Sequence, residues 1–318
     1  MEEDGLYGIL AEKNIREVQF GLHKRFDTWY GSAVYFNTET KKLGIHDEPG
    51  TKLVSVRKRM KQDKSDVSVI DNVETTGYWL DTLFVCEYCF KYTDIEEDLV
   101  RHEQVCSYKL KAPGRIKYKS PQYTIRRVKG SKHQMFCQCL CLFTKLYLDN
   151  KSVYFKLDHY EFYIVYESGS TVPMAFFSKD LVSYNQNNLA CILTLPPYQR
   201  RRLGSLLIEF SYCLSRAEGI ISGPELPLSP FGLVGYLRYW SQIICWHLCE
   251  GGLSEFQEVT IEDISTVTGM RINDVITTLK HLNCIENDSR ILLHPLKQRL
   301  KGDSKSFMLE DEYLLLDD

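Results

Sequence analysis

The chain has 318 residues, 44% of them hydrophobic and 25% charged, which allows about two domains at roughly 150 residues each. Its 39 Lys+Arg against 42 Asp+Glu leave a formal net charge of -3, which excludes a protein held to nucleic acid by bulk charge. With eleven cysteines, an acidic start (Met1-Glu2-Glu3-Asp4) and no apolar run of about 18 residues, a soluble intracellular protein with reduced thiols is expected; its cysteines then serve metal, catalysis or core packing rather than disulfides.

The first 38 residues mix aromatic and polar side chains around Val18, Phe20, Trp29, Val34 and Phe36, a pattern of short strands. Residues 39–75 are charge-rich and read as an insertion. Its cluster Val56-Arg57-Lys58-Arg59-Met60-Lys61 offers a nuclear-import or nucleic-acid patch, with a solvated loop as the plainer reading. An apolar strand from Trp79 to Val85 leads into Cys86-x2-Cys89-x12-His102-x3-Cys106, whose second pair ends a short helix predicted from Asp94 to Gln104. Four such ligands in two close pairs suit tetrahedral zinc, and with all positions filled by protein the ion would be structural.

Nine lysines and arginines fall between Lys109 and Lys132, where alternation (Ile116-Lys117-Tyr118-Lys119, Tyr123-Thr124-Ile125-Arg126-Arg127-Val128) predicts strands with a basic outer face, solvated or facing phosphate. Residues 136–148 are apolar enough for a buried helix; its Cys137, Cys139 and Cys141 point different ways and read as core. Residues 161–166 and 172–177 flank Ser168-Gly169-Ser170 as a β-hairpin. The run Leu189-Ala190-Cys191-Ile192-Leu193-Thr194-Leu195 is a buried strand stopped by Pro196-Pro197. A helix follows from about Leu203 to Glu218, with Leu203, Leu206, Leu207, Phe210, Leu214 and Ala217 on one face and Gly219 as its stop.

Three of these later segments carry chemistry. The turn Gln199-Arg200-Arg201-Arg202-Leu203-Gly204-Ser205 joins a strand to a helix N-terminus, where amides, dipole and arginines favour a pyrophosphate-bearing guest; an ordinary solvated turn is the alternative. Glu225, in Gly223-Pro224-Glu225-Leu226-Pro227-Leu228-Ser229, is a candidate for partial desolvation and a raised pKa, as a general base requires; a loop glutamate in water is the alternative. Thr260 with Asp263 starts a capping-box-like helix, and the second helix after Gly269 completes a helix-turn-helix pattern. That second helix has few cations (Arg271, Lys280), so packing or partner docking is expected there rather than sequence-specific DNA reading.

Together these segments resemble the MYST family of histone acetyltransferases, from the Cys/His motif to about residue 248. The resemblance rests on Asn188-Leu189-Ala190-Cys191-Ile192-Leu193-Thr194-Leu195-Pro196-Pro197-Tyr198-Gln199-Arg200 through Gly204, on Leu207-Ile208-Glu209-Phe210-Ser211-Tyr212, and on Gly223 to Ser229 with Tyr239-Trp240. Residues 229–242, 268–276 and 311–318 are similar to silencing members of the family. The resemblance implies an α+β fold in three parts: residues 1–115 with a C2HC zinc finger at 86–106, a GNAT-like acetyl-CoA-binding core at 116–235, and a winged helix-turn-helix at 236–318. It implies acetyl transfer from acetyl-CoA to a lysine ε-amine of the histone H4 tail, in the nucleus, in transcriptional silencing and chromatin boundary control. Partners would be subunits of a silencing acetyltransferase complex and chromatin assembly factors, with no membrane.

By the same resemblance, Glu225 is the general base and Cys191 the cysteine proposed as acetyl acceptor. Ile192, Leu193, Thr194, Arg200, Arg201, Arg202, Leu203, Gly204, Ser205 and Ser229 match cofactor contacts, and Lys151 matches an autoacetylated lysine. Arg202 stands where the family pattern has glycine, which predicts a narrowed or strained anion site, or a cation set beside the phosphates. A non-catalytic chromatin or DNA-binding adaptor with a degenerate acetyl-CoA site, and a transferase acting on a small amine, are the rival readings.

Overall fold

A computed structural model describes residues 9–10, 12–37, 42–44, 79–148, 156–286, 290–302 and 307–316. Most of the charged insertion, its basic cluster, and Lys151 lie outside the described residues. The content is mixed α and β, as expected. The chain divides into two compact units: Met1–Arg115, Arg126–Met174 and Leu195–Pro197 form one; Ile116–Ile125, Ala175–Thr194 and Tyr198–Asp318 form the other.

In the first unit, β1 (Ile9–Leu10) pairs with β4 (Gly31–Ser32). Strands β2 (Ile15–Phe20), β3 (Lys24–Asp27), β5 (Leu80–Val85) and β6 (Tyr92–Thr93) form a sheet in the order β3-β2-β5-β6. Strands β2 and β5 run parallel, with Val18 opposite Leu83, and both residues are buried. Residues Ala33–Tyr35 make a single 3-10 turn, not the strand expected there. Helices α1 (Glu96–Val105) and α2 (Ser107–Leu110) follow.

Helix α3 (Gln134–Thr144) is shorter than its apolar pattern predicts. It is apolar on every side and buried from Phe136 to Thr144, as such a helix must be. Cys137, Cys139 and Cys141 are fully buried in it, in agreement with a core role. Phe20, Phe90 and Phe143 meet at ring-centroid distances of 5.3 to 5.6 Å and form the middle of this core.

A five-stranded sheet comprises β7 (Arg115–Lys119), β8 (Tyr123–Lys129), β9 (Tyr160–Glu167), β10 (Pro173–Asp180) and β11 (Cys191–Thr194), in the order β11-β10-β9-β8-β7. The 160–180 hairpin forms as predicted, and the strand at Cys191 forms within the expected 189–195 run but spans only Cys191–Thr194, with Leu193 alone of the four buried. The basic outer face of β7 and β8 does not form as predicted. Lys117 is buried, and its ammonium donates to the carbonyl of Leu316 at 3.2 Å. Arg126 donates to the carbonyls of Pro113 at 2.9 Å and Gly114 at 2.7 Å. Arg127 lies 3.8 Å from the buried Glu161. Lys117 is buried and Arg126 and Arg127 are half-buried, and each is held by protein acceptors, whereas Arg115 and Lys119 of β7 stay exposed.

The second unit is mainly helical. Helix α4 (Leu203–Ala217) buries Leu203, Leu206, Leu207, Phe210 and Leu214, and Gly219 after it takes φ +70°, as the sequence predicts; Ala217, expected on the same face, is exposed in the last turn. It packs with α5 (Pro230–Cys249), α6 (Ile261–Thr268) and α7 (Ile272–His281) around Tyr212, Tyr236, Trp240, Ile264, Met270 and Val275. The Trp240 indole N–H donates to the Tyr212 hydroxyl at 2.8 Å, which satisfies a buried polar pair. Thr260 and Asp263 form a complete capping box at α6, so aspartate suffices there. Strands β12 (Ile285–Glu286) and β13 (Arg290–Ile291) pair after α7, and helix α8 (Leu293–Gly302) follows. Near the C-terminus, the amides of Met308 and Leu309 donate to the Glu209 carboxylate at 2.9 and 3.2 Å.

Candidate functional site

In the first unit, β5 delivers Cys86 and the turn after it delivers Cys89. Helix α1 carries His102, and Cys106 caps its C-terminal end. All four ligand atoms lie within 4.8 Å of one another. The Cys86 and Cys106 sulfurs are 3.9 Å apart, close to the edge of about 3.8 Å that a tetrahedron with Zn–S bonds of about 2.3 Å would have. Cys89 Sγ lies 3.2 Å from His102 Nε2. Hydrogen bonding among the crowded thiols pushes Cys86 and Cys89 up and Cys106 down. A divalent cation would replace those shared protons. Buried Leu99, with Phe84, Tyr88 and Tyr108 around the group, keeps solvent away. The donor set therefore fits the metal site read from the spacing.

In the second unit, the site is built where two chain segments meet and part. The Asn188 amide donates to the Gly223 carbonyl at 3.0 Å, and the Glu225 amide donates to the Leu189 carbonyl at 2.8 Å. Two residues later the chain enters β11, where Cys191 to Thr194 pair with Ser178 to Ala175 of β10. Strand β11 is the last of its sheet, so its backbone turns one edge away from β10. Ile192 and Thr194 are half-buried and Leu193 is buried. Cys191 is half-buried as well, so it is not a core cysteine like the three of α3. The sequence-predicted Cys191 and Glu225 thus belong to paired segments.

Glu225 departs from expectation in one respect. It is exposed, as are Leu226 and Pro227, in line with the alternative reading of a loop glutamate rather than one covered by its apolar neighbours. The Leu226–Pro227 peptide bond that follows it is cis. An open depression of about 370 Å³ lies beside it, lined in part by Asp180, Tyr184, Asn187 and Arg271.

The anion turn also takes an unexpected form. Arg200 and Arg202 both adopt left-handed backbone, with φ +64° and +60°. Gly204 does not; it lies in the first turn of α4, where an added Cβ would meet only the Thr194 hydroxyl at 3.9 Å. Arg202 is the N-cap residue of α4, and its side chain makes no capping bond. The first-turn amides, including those of Leu203, Gly204 and Ser205, are thus left for an anion. The Arg201 guanidinium lies over the Tyr198 ring, 5.6 Å from its centroid. Helix N-terminus, uncapped amides and cations together suit the pyrophosphate of a nucleotide-bearing acyl donor.

Ser229 is the N-cap of α5, where its Oγ accepts the Gly232 amide at 3.1 Å. That leaves its own O–H as a donor for a second group.

Sequence reasoning missed Arg271 as a site residue and counted it only as a cation of the second helix of the pair. Its guanidinium donates to the carbonyls of Pro224 at 3.1 Å and Asn185 at 2.9 Å, and to Asn187 Oδ1 at 2.7 Å. Partners 47, 84 and 86 residues away leave no local signal.

Among the described residues no helix is long and apolar enough to cross a membrane. The model of the MOZ/SAS family matches residues 111–312. Histone acetyltransferase SAS2 of Saccharomyces cerevisiae is 64% identical over 320 residues, covering 100% of this chain and 89% of that protein. Histone acetyltransferase MOF of Drosophila melanogaster is 40% identical over 208 residues, 64% of this chain and 25% of that protein. Histone acetyltransferase of the MYST family 1 of Arabidopsis thaliana is 34% identical over 295 residues, 87% of this chain and 65% of that protein. With most of the chain aligned to such relatives and the family model spanning the 199–205 turn and the Glu225 segment, the chain belongs to the MOZ/SAS family of MYST acetyltransferases.

Proposed function

We infer that this chain is a histone acetyltransferase that moves acetyl from acetyl-CoA to a lysine ε-amine of the histone H4 tail. The family match and the relatives support the activity. The structural observation that carries the reading is the Glu225–Leu189 hydrogen bond, which ties the segment of the candidate base to the segment that runs into the candidate donor strand. The nucleus, transcriptional silencing and chromatin boundary control are the proposed setting, within a silencing acetyltransferase complex that works with chromatin assembly factors. Its likeness to SAS2 supports that setting.

In this reading residues 86–106 are a structural C2HC zinc finger, 116–235 a GNAT-like core and 236–318 a winged helix-turn-helix region. The Cys/His geometry supports the first and the helix pair followed by the β12–β13 hairpin supports the last. Acetyl-CoA would lie along the outer edge of β11, against Ile192, Leu193 and Thr194. Its pyrophosphate would meet Arg200, Arg201, Arg202, Leu203, Gly204 and Ser205, and the Ser229 hydroxyl would make a further contact. Lys151 is the proposed autoacetylated lysine.

A lysine amine has an ordinary pKa near 10.4 and is protonated at neutral pH, so it cannot attack until it loses a proton. Glu225 takes that proton, directly or through water; its exposure gives an incoming lysine access. The amine nitrogen then bonds to the acetyl carbon. A backbone N–H at the start of β11 stabilises the developing oxyanion. The C–S bond breaks, and the CoA sulfur leaves and takes up a proton. Direct attack is preferred to prior transfer onto Cys191. Transfer of labelled acetyl to an H4 tail peptide, compared with small polyamines, tests the substrate class. Labelling of the peptide but not the amines is expected; the reverse would overturn the histone assignment.

A further inference from the structure

The helix pair at the C-terminal end presents the start of its second helix to the Glu225 segment. The 188–189 and 223–225 segments make a short parallel ladder whose hydrogen bonds stop at Leu189 and Glu225. Arg271 holds the two segments from outside that ladder. One arm bonds the carbonyl of Pro224, the residue before Glu225, and the other bonds the Asn185 carbonyl and the Asn187 side chain. A planar guanidinium can serve three acceptors on two chain segments at once; a lysine ammonium cannot reproduce that fork.

The fit beneath this contact is close. The Ser222 amide donates to the Gly269 carbonyl at 2.9 Å, so the turn before α7 extends the pairing. A Cβ on Gly223 would come within 2.6 Å of Asp274 Oδ2 and 3.4 Å of Arg271. The beginning of α7 therefore packs directly on the backbone leading to Glu225.

We propose that Arg271 is a positioning residue for acyl transfer, setting the Glu225 segment through its bonds to Pro224, Asn185 and Asn187. The proposal rests on the reading of Glu225 as general base. It also gives the helix-turn-helix pattern a task other than DNA reading: its cation at the start of the second helix is committed to the catalytic segment.

The test is a double-mutant cycle on the full chain, with kcat for an H4 tail peptide, the dissociation constant for acetyl-CoA and the unfolding temperature measured for each variant. Arg271→Ala is expected to lower kcat at least tenfold, to leave acetyl-CoA binding within twofold, and to cost little further when Glu225 is already glutamine. Arg271→Lys is expected to recover only part of the loss. If Arg271→Ala does not fold, Arg271→Lys enters the same cycle, with a partial loss that vanishes in the Glu225→Gln background. Unchanged kcat in the Arg271 variants, or losses that multiply independently of Glu225, would overturn the proposal. Full turnover in Glu225→Gln alone would instead remove the reading of the base, and is distinguishable because it needs no Arg271 variant.

Discussion

The amide of Glu225 donates to the carbonyl of Leu189 at 2.8 Å, two residues before Cys191. Glu225 is thereby joined to the segment that leads into a strand starting 34 positions earlier in the chain. Because the bond runs through backbone atoms, side-chain substitutions at 191 and 225 change chemistry without removing it. The two roles can be tested separately.

Cys191→Ala separates direct attack from a covalent route. Direct attack predicts that the variant keeps most of its turnover. A loss as large as that of Glu225→Gln, with acetyl found on Cys191 in the unmodified chain by mass spectrometry, would show that acetyl passes through the thiol.

Arg202 holds a left-handed backbone at φ +60°, a conformation that costs a non-glycine residue roughly 1–2 kcal/mol. Glycine there removes the steric cost but adds about 0.5–1 kcal/mol of backbone entropy lost on folding. Arg202→Gly should therefore stabilise the chain slightly, by up to about 1 kcal/mol in denaturant unfolding. A clear loss of stability would mean that the arginine side chain holds the turn.

The Cys86, Cys89, His102 and Cys106 cluster predicts one tightly bound zinc per chain. Metal binding in small finger peptides is worth roughly 10–16 kcal/mol, so chelation should unfold the surrounding part and lower the unfolding temperature sharply. Cys89→Ser should purify with little zinc and show the same loss. An unchanged unfolding curve in metal-free protein would argue against a structural role.

Burial pushes the Asp274 carboxyl up from 3.8 to about 6, against the opposing pull of Arg271. Its Oδ2 has no hydrogen-bond partner among the described residues. Since the folded pKa exceeds the unfolded one, the stability linked to this group is full below about pH 4 and is lost as pH rises through about 6. Asp274→Asn should therefore gain on the parent chain between pH 4 and 7, by about 1–2 kcal/mol at the upper end. Parallel stability curves across that range would contradict the shift.

The elements that carry the site were legible where local pattern and burial agree. The apolar run at Cys191 ended by prolines, the helix from Leu203 and the paired Cys/His spacing each reproduce in the structure, although that helix is buried on every side from Leu206 to Tyr212 rather than on one face. The rest depended on distant partners. Alternation placed lysines and arginines on one side of β7 and β8, but the carbonyl of Leu316, far along the chain, draws Lys117 inward. Prolines and leucines beside Glu225 suggested an apolar cover, whereas Glu225, Leu226 and Pro227 are all exposed. Glycine permits left-handed backbone, yet the turn assigns that conformation to Arg200 and Arg202 and leaves Gly204 helical. Arg271 has partners on two loops that its own neighbourhood does not reveal.

The most direct measurement of the central claim is steady-state transfer from acetyl-CoA to an H4 tail peptide by the parent chain and by Glu225→Gln, at neutral pH and saturating acetyl-CoA. Clear transfer by the parent chain is expected. The variant should lose about 10²–10⁴-fold in kcat and retain acetyl-CoA binding. Turnover by Glu225→Gln equal to that of the parent chain would contradict the claim.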